Sequence, residues 1–319
     1  MDLKQSMRLL RFADIKQTTN TAPSIVTIGN FDGIHLGHQY ILQKVSTFAK
    51  AQKAKSTVIC FEPQPKEFFM GENAPARITP FRDKMLNFQK AGIDQVLCLS
   101  FNQKLATLTP DAFVQKILVD GLHAKHVVIG DDFRFGFQRQ GDYQYLKKLG
   151  QQYGFDVSST SSYLQENTRI SSSIIRTYLQ HGEFDRAFAL LGRRYSLSGR
   201  IHHGNKNGQK LGFPTINIPM PTKVAVSGVY AVKVHLKHKV CYGVANIGIR
   251  PTVCGKMRLL ETYIFDFNHD LYGQYVTIEF LKFIRAEKKF TDFDALVTQI
   301  QSDKEIAKSW IQKNMIIKG

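Results

Sequence analysis

The first half of the chain contains, at Gly29–His38, the sequence GNFDGIHLGH. It follows a strand-like apolar run that starts at Ser24, and it opens a helical pattern at His35–Lys53. In open parallel sheets, ligands bind at the carboxyl ends of strands, where a helix that begins presents unpaired N–H groups to a phosphate. The stretch therefore predicts an α/β domain with a phosphate site after its first strand.

The residue types within this stretch suit a polyphosphate. Gly29 and Gly37 allow the backbone to approach a ligand closely. His35 and His38 are three residues apart, so in a helix they share a face and can donate hydrogen bonds to the same anion. Imidazoles can also stabilise the charge on a departing pyrophosphate. We therefore expect His35 and His38 to be catalytic.

Strand-like and helical stretches alternate through the first half of the chain. Further strand-like runs lie at Ser56–Phe61, Gln95–Phe101 and His126–Gly130, and helical stretches lie at Pro80–Ala91, Pro110–Leu118, Tyr143–Tyr153 and Ser171–His181. Strands separated by helices favour parallel pairing, since a parallel return requires a crossover. The sequence predicts an open parallel sheet here.

Two further segments of this half carry polar groups where strands end or helices begin. Gly130–Gly136, GDDFRFG, follows a strand-like run. Ile170–Arg176, ISSSIIR, opens the last helix with three hydroxyls and an arginine suited to phosphate. Ordinary helix capping is the alternative explanation for the serines.

The second half has a different pattern. Six strand-like runs are joined by short turns, and they lie at Tyr195–Ile201, Phe213–Ile218, Gly228–Leu236, Val240–Ile247, Leu260–Phe267 and Tyr275–Phe283. This series favours a compact six-stranded antiparallel β-barrel, and a terminal helix follows at Asp292–Gln312. We place the linker near His181–Glu183, which divides the chain into domains 1–182 and 183–319.

The barrel half contains a second candidate phosphate site. A glycine-rich stretch with Gly204, Gly208 and Gly212 can turn its N–H groups around phosphates, but it lacks the glycine-lysine-serine/threonine pattern of a Walker A loop. Thr215 and Asn217 are two apart on a strand, so their oxygens share a face. Both oxygens are hard ligands suited to Mg²⁺.

A kinase also needs a group that orients or deprotonates the attacking hydroxyl. The second half offers four acidic candidates: Glu261, Asp266, Asp270 and Glu279. Composition and spacing do not choose among them.

The first half resembles the H-x-G-H nucleotidyltransferases, and most closely the FMN adenylyltransferase module of bacterial FAD synthetases. The resemblance implies that ATP and phosphate are bound by Gly29, Asn30, Phe31, Gly37, Ser171, Ser172 and Arg176. It also implies that Asp132 and Phe133 contact the flavin. Gln64 stands where the family often has histidine and Ser173 where threonine is common, so Gln64 is given no catalytic role.

The second half resembles riboflavin kinase, with the sequence GFPTIN intact at Gly212–Asn217. The resemblance implies that Thr215 and Asn217 contact Mg²⁺ and ATP, that Glu261 is the catalytic base and that Arg285 contacts the flavin. It also implies phosphate contacts from Gly204, Gly208 and Gly212. Together the two halves resemble bifunctional enzymes that convert riboflavin to FMN and FMN to FAD with ATP and Mg²⁺.

Composition is consistent with this reading and excludes several others. The chain has 319 residues and four separated cysteines with no C-x-x-C spacing, which argues against zinc and against a disulfide framework. No apolar run approaches the ~18 residues of a membrane span. We expect a cytoplasmic protein with small-molecule substrates and no membrane partner. The sequence determines no oligomeric state.

Two other classes of protein share part of this sequence pattern. The formal net charge of +17 suits anionic nucleotides, and it also suits a basic nucleic-acid-binding protein with a relic nucleotide fold. The charges are spread along the chain, and no zinc-finger or RNP1-like pattern is present, so we expect no nucleic-acid partner. A tRNA-charging enzyme would share the H-x-G-H domain. This chain instead has the ISSSIIR stretch at Ile170–Arg176, here called the serine motif, and no K-M-S-K-S-like loop.

Overall fold

The computed structural model describes residues 7–17, 22–160, 164–165, 168–203, 213–220, 223–252 and 255–316. The chain divides into two compact units. The first contains Met1–Pro75 and Lys84–Ser171, and the second contains Ala76–Asp83 and Ser172–Gly319.

The first unit is built on a six-stranded sheet in which every neighbouring pair is parallel. Its strands are Arg8–Leu10 (β1), Ser24–Ile28 (β2), Lys55–Glu62 (β3), Gln95–Ser100 (β4), Ala124–Gly130 (β5) and Asp156–Thr160 (β6). Their order across the sheet is β1-β4-β3-β2-β5-β6. This confirms the predicted open parallel sheet and adds β1 and β6, which the sequence did not predict.

Helices connect these strands, as parallel pairing requires. They are Phe12–Gln17 (α1), Leu36–Ala51 (α2), Pro65–Met70 (α3), Phe81–Lys90 (α4), Gln103–Ala106 (α5), Pro110–Phe113 (α6) and Tyr143–Tyr153 (α7). A π-helical segment, Val114–Val119, continues α6. The Thr109 hydroxyl accepts a hydrogen bond from the Ala112 N–H at 3.2 Å, so Thr109 is the N-cap of α6 and Pro110 follows it at the first helical position.

The sheet is covered on both faces. All five residues of β2 are buried. On β3, Ile59 packs in one hydrophobic cluster with Leu97, whereas its neighbour Val58 packs in another with Val96. Successive strand residues point to opposite faces, so the two clusters are the two layers that enclose the sheet.

The second unit is a nearly closed antiparallel barrel. Two short strands of the first unit, Leu164–Gln165 (β7) and Thr168–Arg169 (β8), form a separate two-stranded ribbon. The strands of the barrel are Ser196–Arg200 (β9), Thr215–Met220 (β10), Gly228–His235 (β11), Val240–Thr252 (β12), Gly255–Ile264 (β13) and Tyr275–Arg285 (β14). The order in the barrel is β10-β13-β12-β11-β14-β9. A bridge between His202, just after β9, and Asn217 of β10 brings the two edge strands together.

Among its described residues, this unit has the α-helices Ser172–Gln180 (α8), Phe184–Leu191 (α9) and Phe293–Ile311 (α10), and a π-helical segment, Gln312–Ile316, continues the last. The last packs against one face of the barrel wall, where Ala307 and Ile311 contact a cluster that includes Val229 and Val244. The predicted barrel with a terminal helix is confirmed.

The predicted linker, His181–Glu183, is the turn between α8 and α9. Gly182 has φ +72°, and a Cβ atom there would lie 2.7 Å from the Cβ of Phe283 on β14. The turn therefore needs glycine for both its conformation and its packing. The functional limits 1–182 and 183–319 stay a prediction.

Candidate active sites

Two of the predicted ligand-binding segments lie at the point where the strand order of the first sheet reverses. From β2 the sheet continues through β3 and β4 on one side and through β5 and β6 on the other. Gly29 follows the end of β2, and Gly130 ends the neighbouring β5. Ligands bind at such switch points in open α/β sheets. The fold therefore brings Gly29–His38 and Gly130–Phe133 to the same edge of the sheet.

The loop between β2 and α2 is held in an uncommon conformation. Phe31, Gly33 and Ile34 have φ values of 48°, 88° and 40°. A positive φ at a residue such as isoleucine costs roughly 1–3 kcal/mol. The side chains of Phe31 and Ile34 are each 2% exposed within the cluster that covers the sheet, and this burial offsets the strain. The turn that precedes the histidines is thus fixed by packing.

His35 and His38 lie together, as their spacing predicts. His35 is the N-cap of α2, so the helix begins one residue later than predicted. The Nδ1 atom of His35 accepts a hydrogen bond from the backbone N–H of His38 at 3.3 Å, which places the ring proton of His35 on Nε2 and makes Nε2 the donor. The two rings stack with 3.7 Å between centroids and 16° between planes.

Other predicted ATP contacts surround this pair. The Oδ1 atom of Asn30 is buried and accepts no hydrogen bond from the residues that the structure describes, which fits a donor from a ligand. The ring of Phe31 lies 5.1 Å from that of His38. A Cβ atom at Gly29 would lie 3.1 Å from the Phe31 ring, so a larger residue there would push the ring aside. Gly37 lies in the first turn of α2.

The two residues of this half that are predicted to contact the flavin, Asp132 and Phe133, contact other side chains of the protein. The carboxylate of Asp132 lies 2.8 Å from the guanidinium of Arg169, although the Asp132 side chain is 74% exposed. The ring of Phe133 stacks on Phe135, with centroids 5.5 Å apart, and packs against the core of the first unit. Both flavin contacts stay predictions.

The serine motif, Ile170–Arg176, spans the point in the sequence where the first unit ends and the second continues. Ser171 ends the first unit, Ser172 begins α8, and Arg176 lies on the second turn of that helix. The Nε atom of Arg176 donates a hydrogen bond to the carbonyl of Ala76 at 2.5 Å. The phosphate contacts of Ser171, Ser172 and Arg176 stay predictions.

In the barrel, strand register places Asn217, Glu261 and Asn246 side by side on three neighbouring strands. Asn217 on β10 lies directly opposite Glu261 on β13, and Glu261 lies opposite Asn246 on β12. Thr215 shares a face with Asn217 because it is two residues away along the strand. Residues opposite each other project to the same face, so Thr215, Asn217 and Glu261 share one side of the barrel wall.

Register also separates the four acidic candidates. Glu279 on β14 is paired with His235 at 2.8 Å. Asp270 accepts a hydrogen bond from the N–H of Tyr272 at 2.8 Å, and Asp266 lies in a turn with φ 50°. Of the four, Glu261 lies opposite the strand that carries the GFPTIN motif. The geometry favours Glu261 as the acid-base group.

The residues present fit a magnesium ion. The side chain of Asn217 is 7% exposed, and its Oδ1 atom has no hydrogen-bond partner among the described residues. Its Nδ2 atom donates to the carbonyl of Thr215 at 3.3 Å, which fixes the amide with Oδ1 turned away from that carbonyl. A buried oxygen without a donor fits a cation. Within the described ranges, no cluster of three His, Cys, Asp or Glu side chains could hold a metal.

Arg285 contacts a buried carboxylate of the last helix. It forms a two-pronged ion pair with Asp303 of α10, with nitrogen–oxygen distances of 2.9 Å and 2.7 Å. Asp303 is a buried residue that the sequence analysis missed, because a single helical carboxylate carries no signal of its partner. The predicted flavin contact of Arg285 stays a prediction. Gly204, Gly208 and Gly212 lie outside the described residues.

Comparisons with known proteins cover both halves. Residues 17–174 match the family model described as FAD synthetase, and residues 191–311 match the one described as riboflavin kinase. The chain is 45% identical to the bifunctional riboflavin kinase/FMN adenylyltransferase of Haemophilus influenzae, over 89% of this chain and 93% of that protein. It is 42% identical to the protein so named from Escherichia coli K12, over 90% of this chain and 92% of that protein.

A solved structure is similar over the same length. The crystal structure described as a macrolide-efflux protein from Streptococcus pneumoniae has a TM-score of 0.78 and 28% identity, and the match covers 95% of this chain and all of that one. Within the part of the chain that the structure describes, no helix has the length and apolar character to cross a membrane.

A parallel sheet with stacked histidines at its switch point, followed by a barrel with an asparagine and a glutamate in register, defines a two-domain nucleotide-dependent transferase. Relatives above 40% identity match it over nearly their whole length. The chain belongs to the family of bifunctional riboflavin kinase/FMN adenylyltransferases.

Proposed function

We propose that residues 1–182 catalyse adenylyl transfer and that residues 183–319 catalyse phosphorylation. The chain phosphorylates riboflavin with ATP to give FMN, and it transfers AMP from a second ATP to FMN to give FAD and pyrophosphate. The division is supported by the separate extents of the two family matches. Both reactions are attacks of oxygen on phosphorus, in which positioning and charge neutralisation contribute most.

In the adenylyl transfer, we assign the triphosphate to the start of α2. The Nε2 atom of His35 and the ring of His38 donate hydrogen bonds to phosphate oxygens and stabilise the charge of the departing pyrophosphate. Gly29, Gly37 and the N–H groups of the helix start contribute backbone donors. The stacked geometry of His35 and His38 supports this role, since both rings lie where one anion can meet them.

Further contacts of this site follow the family pattern. We assign Asn30 and Phe31 to ATP, Ser171, Ser172 and Arg176 to its phosphates, and Asp132 with Phe133 to the flavin. The unsatisfied Oδ1 atom of Asn30 supports the first of these assignments.

In the phosphorylation, the hydroxyl of riboflavin attacks the terminal phosphorus of ATP and ADP leaves. We assign Glu261 as the group that orients this hydroxyl and accepts its proton on a carboxylate oxygen. Thr215 and Asn217 would hold Mg²⁺ together with ATP, and a bound Mg²⁺ neutralises charge on the transferred phosphoryl group. The register of Asn217 with Glu261 is the single observation that carries this assignment.

The remaining predictions are kept as proposals. We assign Gly204, Gly208 and Gly212 to the phosphates of the kinase ATP, and we place the chain in the cytoplasm with no nucleic-acid and no membrane partner. The activities themselves require only small molecules: riboflavin, FMN and ATP.

The test is to incubate the purified chain with riboflavin, ATP and Mg²⁺ and to separate the flavins by chromatography. The proposal predicts FMN first and FAD later, and it predicts that the omission of Mg²⁺ stops both. Formation of FMN without Mg²⁺ would remove the metal from the kinase step. Tight binding of RNA or DNA without flavin products would favour the nucleic-acid-binding alternative.

A further inference from the structure

Arg285, at the end of β14, is fixed by a buried carboxylate on α10. Its Nε atom donates to Asp303 Oδ1 at 2.9 Å and its Nη2 atom donates to Asp303 Oδ2 at 2.7 Å. Its Nη1 atom donates to the carbonyl of Ala286 at 3.0 Å. The Asp303 side chain is 4% exposed and that of Arg285 21%, and Gln299 donates to Asp303 at 3.0 Å. Each nitrogen of Arg285 thus already has an acceptor in the protein.

This ion pair lies on the face of the barrel wall that carries the kinase residues. Arg285 is opposite Val229, Val229 is opposite Asn246, and Asn246 is opposite Glu261. The helix that carries Asp303 packs on this face through Ala307, which joins the cluster that includes Val229. The ion pair therefore fixes α10 against the same row of strand positions.

Lys304, the residue after Asp303, lies near β10, the strand that carries the predicted magnesium ligands Thr215 and Asn217. The Nζ atom of Lys304 is 5.6 Å from the ring centre of Phe213 and 5.8 Å from that of Tyr263. Tyr263 is directly opposite Thr215, and Phe213 precedes Thr215 by two residues. A cation within about 6 Å of an aromatic face is attracted to it, so the two rings hold the ammonium on the strand pair that carries Thr215.

We propose that Arg285 and Asp303 are a positioning pair for the phosphorylation of riboflavin. The pair fixes the position of α10 along the barrel wall. In that position the ammonium of Lys304 lies beside Thr215 and binds the phosphates of ATP. Arg285 acts on the kinase site through Asp303. This role rests on the assignment of the kinase site to Thr215, Asn217 and Glu261.

The test compares Arg285→Lys with Lys304→Ala. Lysine keeps the charge of Arg285 but cannot make the two-pronged contact. Both variants are expected to raise the KM for ATP in riboflavin phosphorylation about tenfold, with kcat within about threefold of the wild type, because they weaken a binding contact. The double variant is expected to show no larger KM than Lys304→Ala, because both changes act through the same ammonium. Adenylylation of added FMN by these variants reports whether the other domain is intact.

The matched control is Asp292→Ala. Asp292 is the N-cap of α10, where its Oδ1 atom accepts a hydrogen bond from the Ala295 N–H at 2.8 Å, so its loss weakens the helix and leaves the ion pair in place. We expect a lower Tm and an unchanged KM for ATP. An equal rise in KM in Asp292→Ala, or an unchanged KM in Arg285→Lys, overturns the proposal. If Arg285→Lys does not fold, Lys304→Ala decides alone, and an unchanged KM there overturns it. A wild-type chain that makes no FMN would instead refute the kinase assignment.

Discussion

Glu261 lies directly opposite Asn217 on the neighbouring antiparallel strand. The register sets a carboxylate and a buried amide oxygen side by side on one face of the barrel wall. This arrangement suits the roles proposed for the two residues, a proton acceptor beside a metal ligand, in the transfer of a phosphoryl group to a hydroxyl.

Glu261→Gln is expected to stop riboflavin phosphorylation while added FMN is still converted to FAD. The amide keeps the size of the side chain but cannot accept the proton, and loss of a general base costs about 100-fold or more in kcat. The two rates are measured separately by chromatography of the flavins. Wild-type phosphorylation in this variant would remove Glu261 from its role.

Thr262→Val is the matched control for Glu261→Gln. Thr262 is the adjacent residue, it points to the other face of β13, and its buried hydroxyl has no hydrogen-bond partner among the described residues. Replacement of an unsatisfied hydroxyl by a methyl group is expected to leave both activities unchanged.

Asn217→Ala is expected to raise the Mg²⁺ concentration needed for riboflavin phosphorylation. A contact to a charged group contributes about 1.5–3 kcal/mol, so loss of this oxygen should shift the half-saturating Mg²⁺ concentration by roughly tenfold or more. Titration of the initial rate with Mg²⁺ measures the shift. The Mg²⁺ dependence of the adenylyl transfer serves as the internal control, and an equal shift in both reactions would contradict a site at Asn217.

His38→Ala is expected to abolish FAD formation while FMN formation continues. The variant removes one of the two stacked rings to which we assign stabilisation of the departing pyrophosphate, and such a donor contributes about 10²–10³-fold in kcat. Rates with FMN and with riboflavin as substrates are compared in the same preparation. Parallel loss of both activities in a folded variant would argue against separate sites.

Asp83→Asn is expected to change the pH dependence of stability. Burial raises the pKa of the Asp83 carboxyl above its ordinary 3.8, although hydrogen bonds from Ser198 partly oppose the shift. A carboxyl with a raised pKa in the folded state stabilises the fold below pH 3.8, and that contribution is lost as the pH rises through the folded-state pKa. Denaturant unfolding should therefore show the variant gaining stability relative to the wild type as the pH rises from 3.8 towards neutrality. A pH-independent difference would contradict this.

Cys98 is expected to react with iodoacetamide before Cys60. The two cysteines are directly opposite each other on β4 and β3. Their mutual hydrogen bond lowers the pKa of Cys98 and raises that of Cys60. Cys60 is also completely buried, and a thiolate is the nucleophile in alkylation. Peptide mass mapping after brief labelling identifies the modified residue, and earlier labelling of Cys60 would refute the order.

The sequence predicted the parts of the fold that have strong local patterns. The alternation of strands and helices predicted the parallel sheet, and the helical pattern from Pro110 predicted the start of α6. It did not predict β1, because three residues are too short for a periodic signal. It also missed α9, where the turn residues before Phe184 suggested a linker. Burial of Phe184 against Tyr230 and Phe280 stabilises that helix, and such contacts are not visible in a local pattern.

The candidate sites were predictable to a different extent. His35 and His38 could be paired by spacing alone, because both belong to one helix start. Spacing alone did not choose Glu261 among the four acidic residues, and only the family resemblance pointed to it. Strand register, which pairs Glu261 with Asn217 across 44 positions of the sequence, now supports that choice. The ion pair of Arg285 with Asp303 depends on how α10 packs on the barrel, so neither residue signals the other.

The most direct test of two separate sites on one chain is to mix the two inactivated variants. Each variant, His38→Ala or Glu261→Gln, is incubated alone and then in an equal mixture with riboflavin, ATP and Mg²⁺, and FAD is measured. Two independent sites predict no FAD from either variant alone and clear FAD formation from the mixture, because FMN made by His38→Ala is adenylylated by Glu261→Gln. A mixture that forms no more FAD than the separate variants would contradict the account.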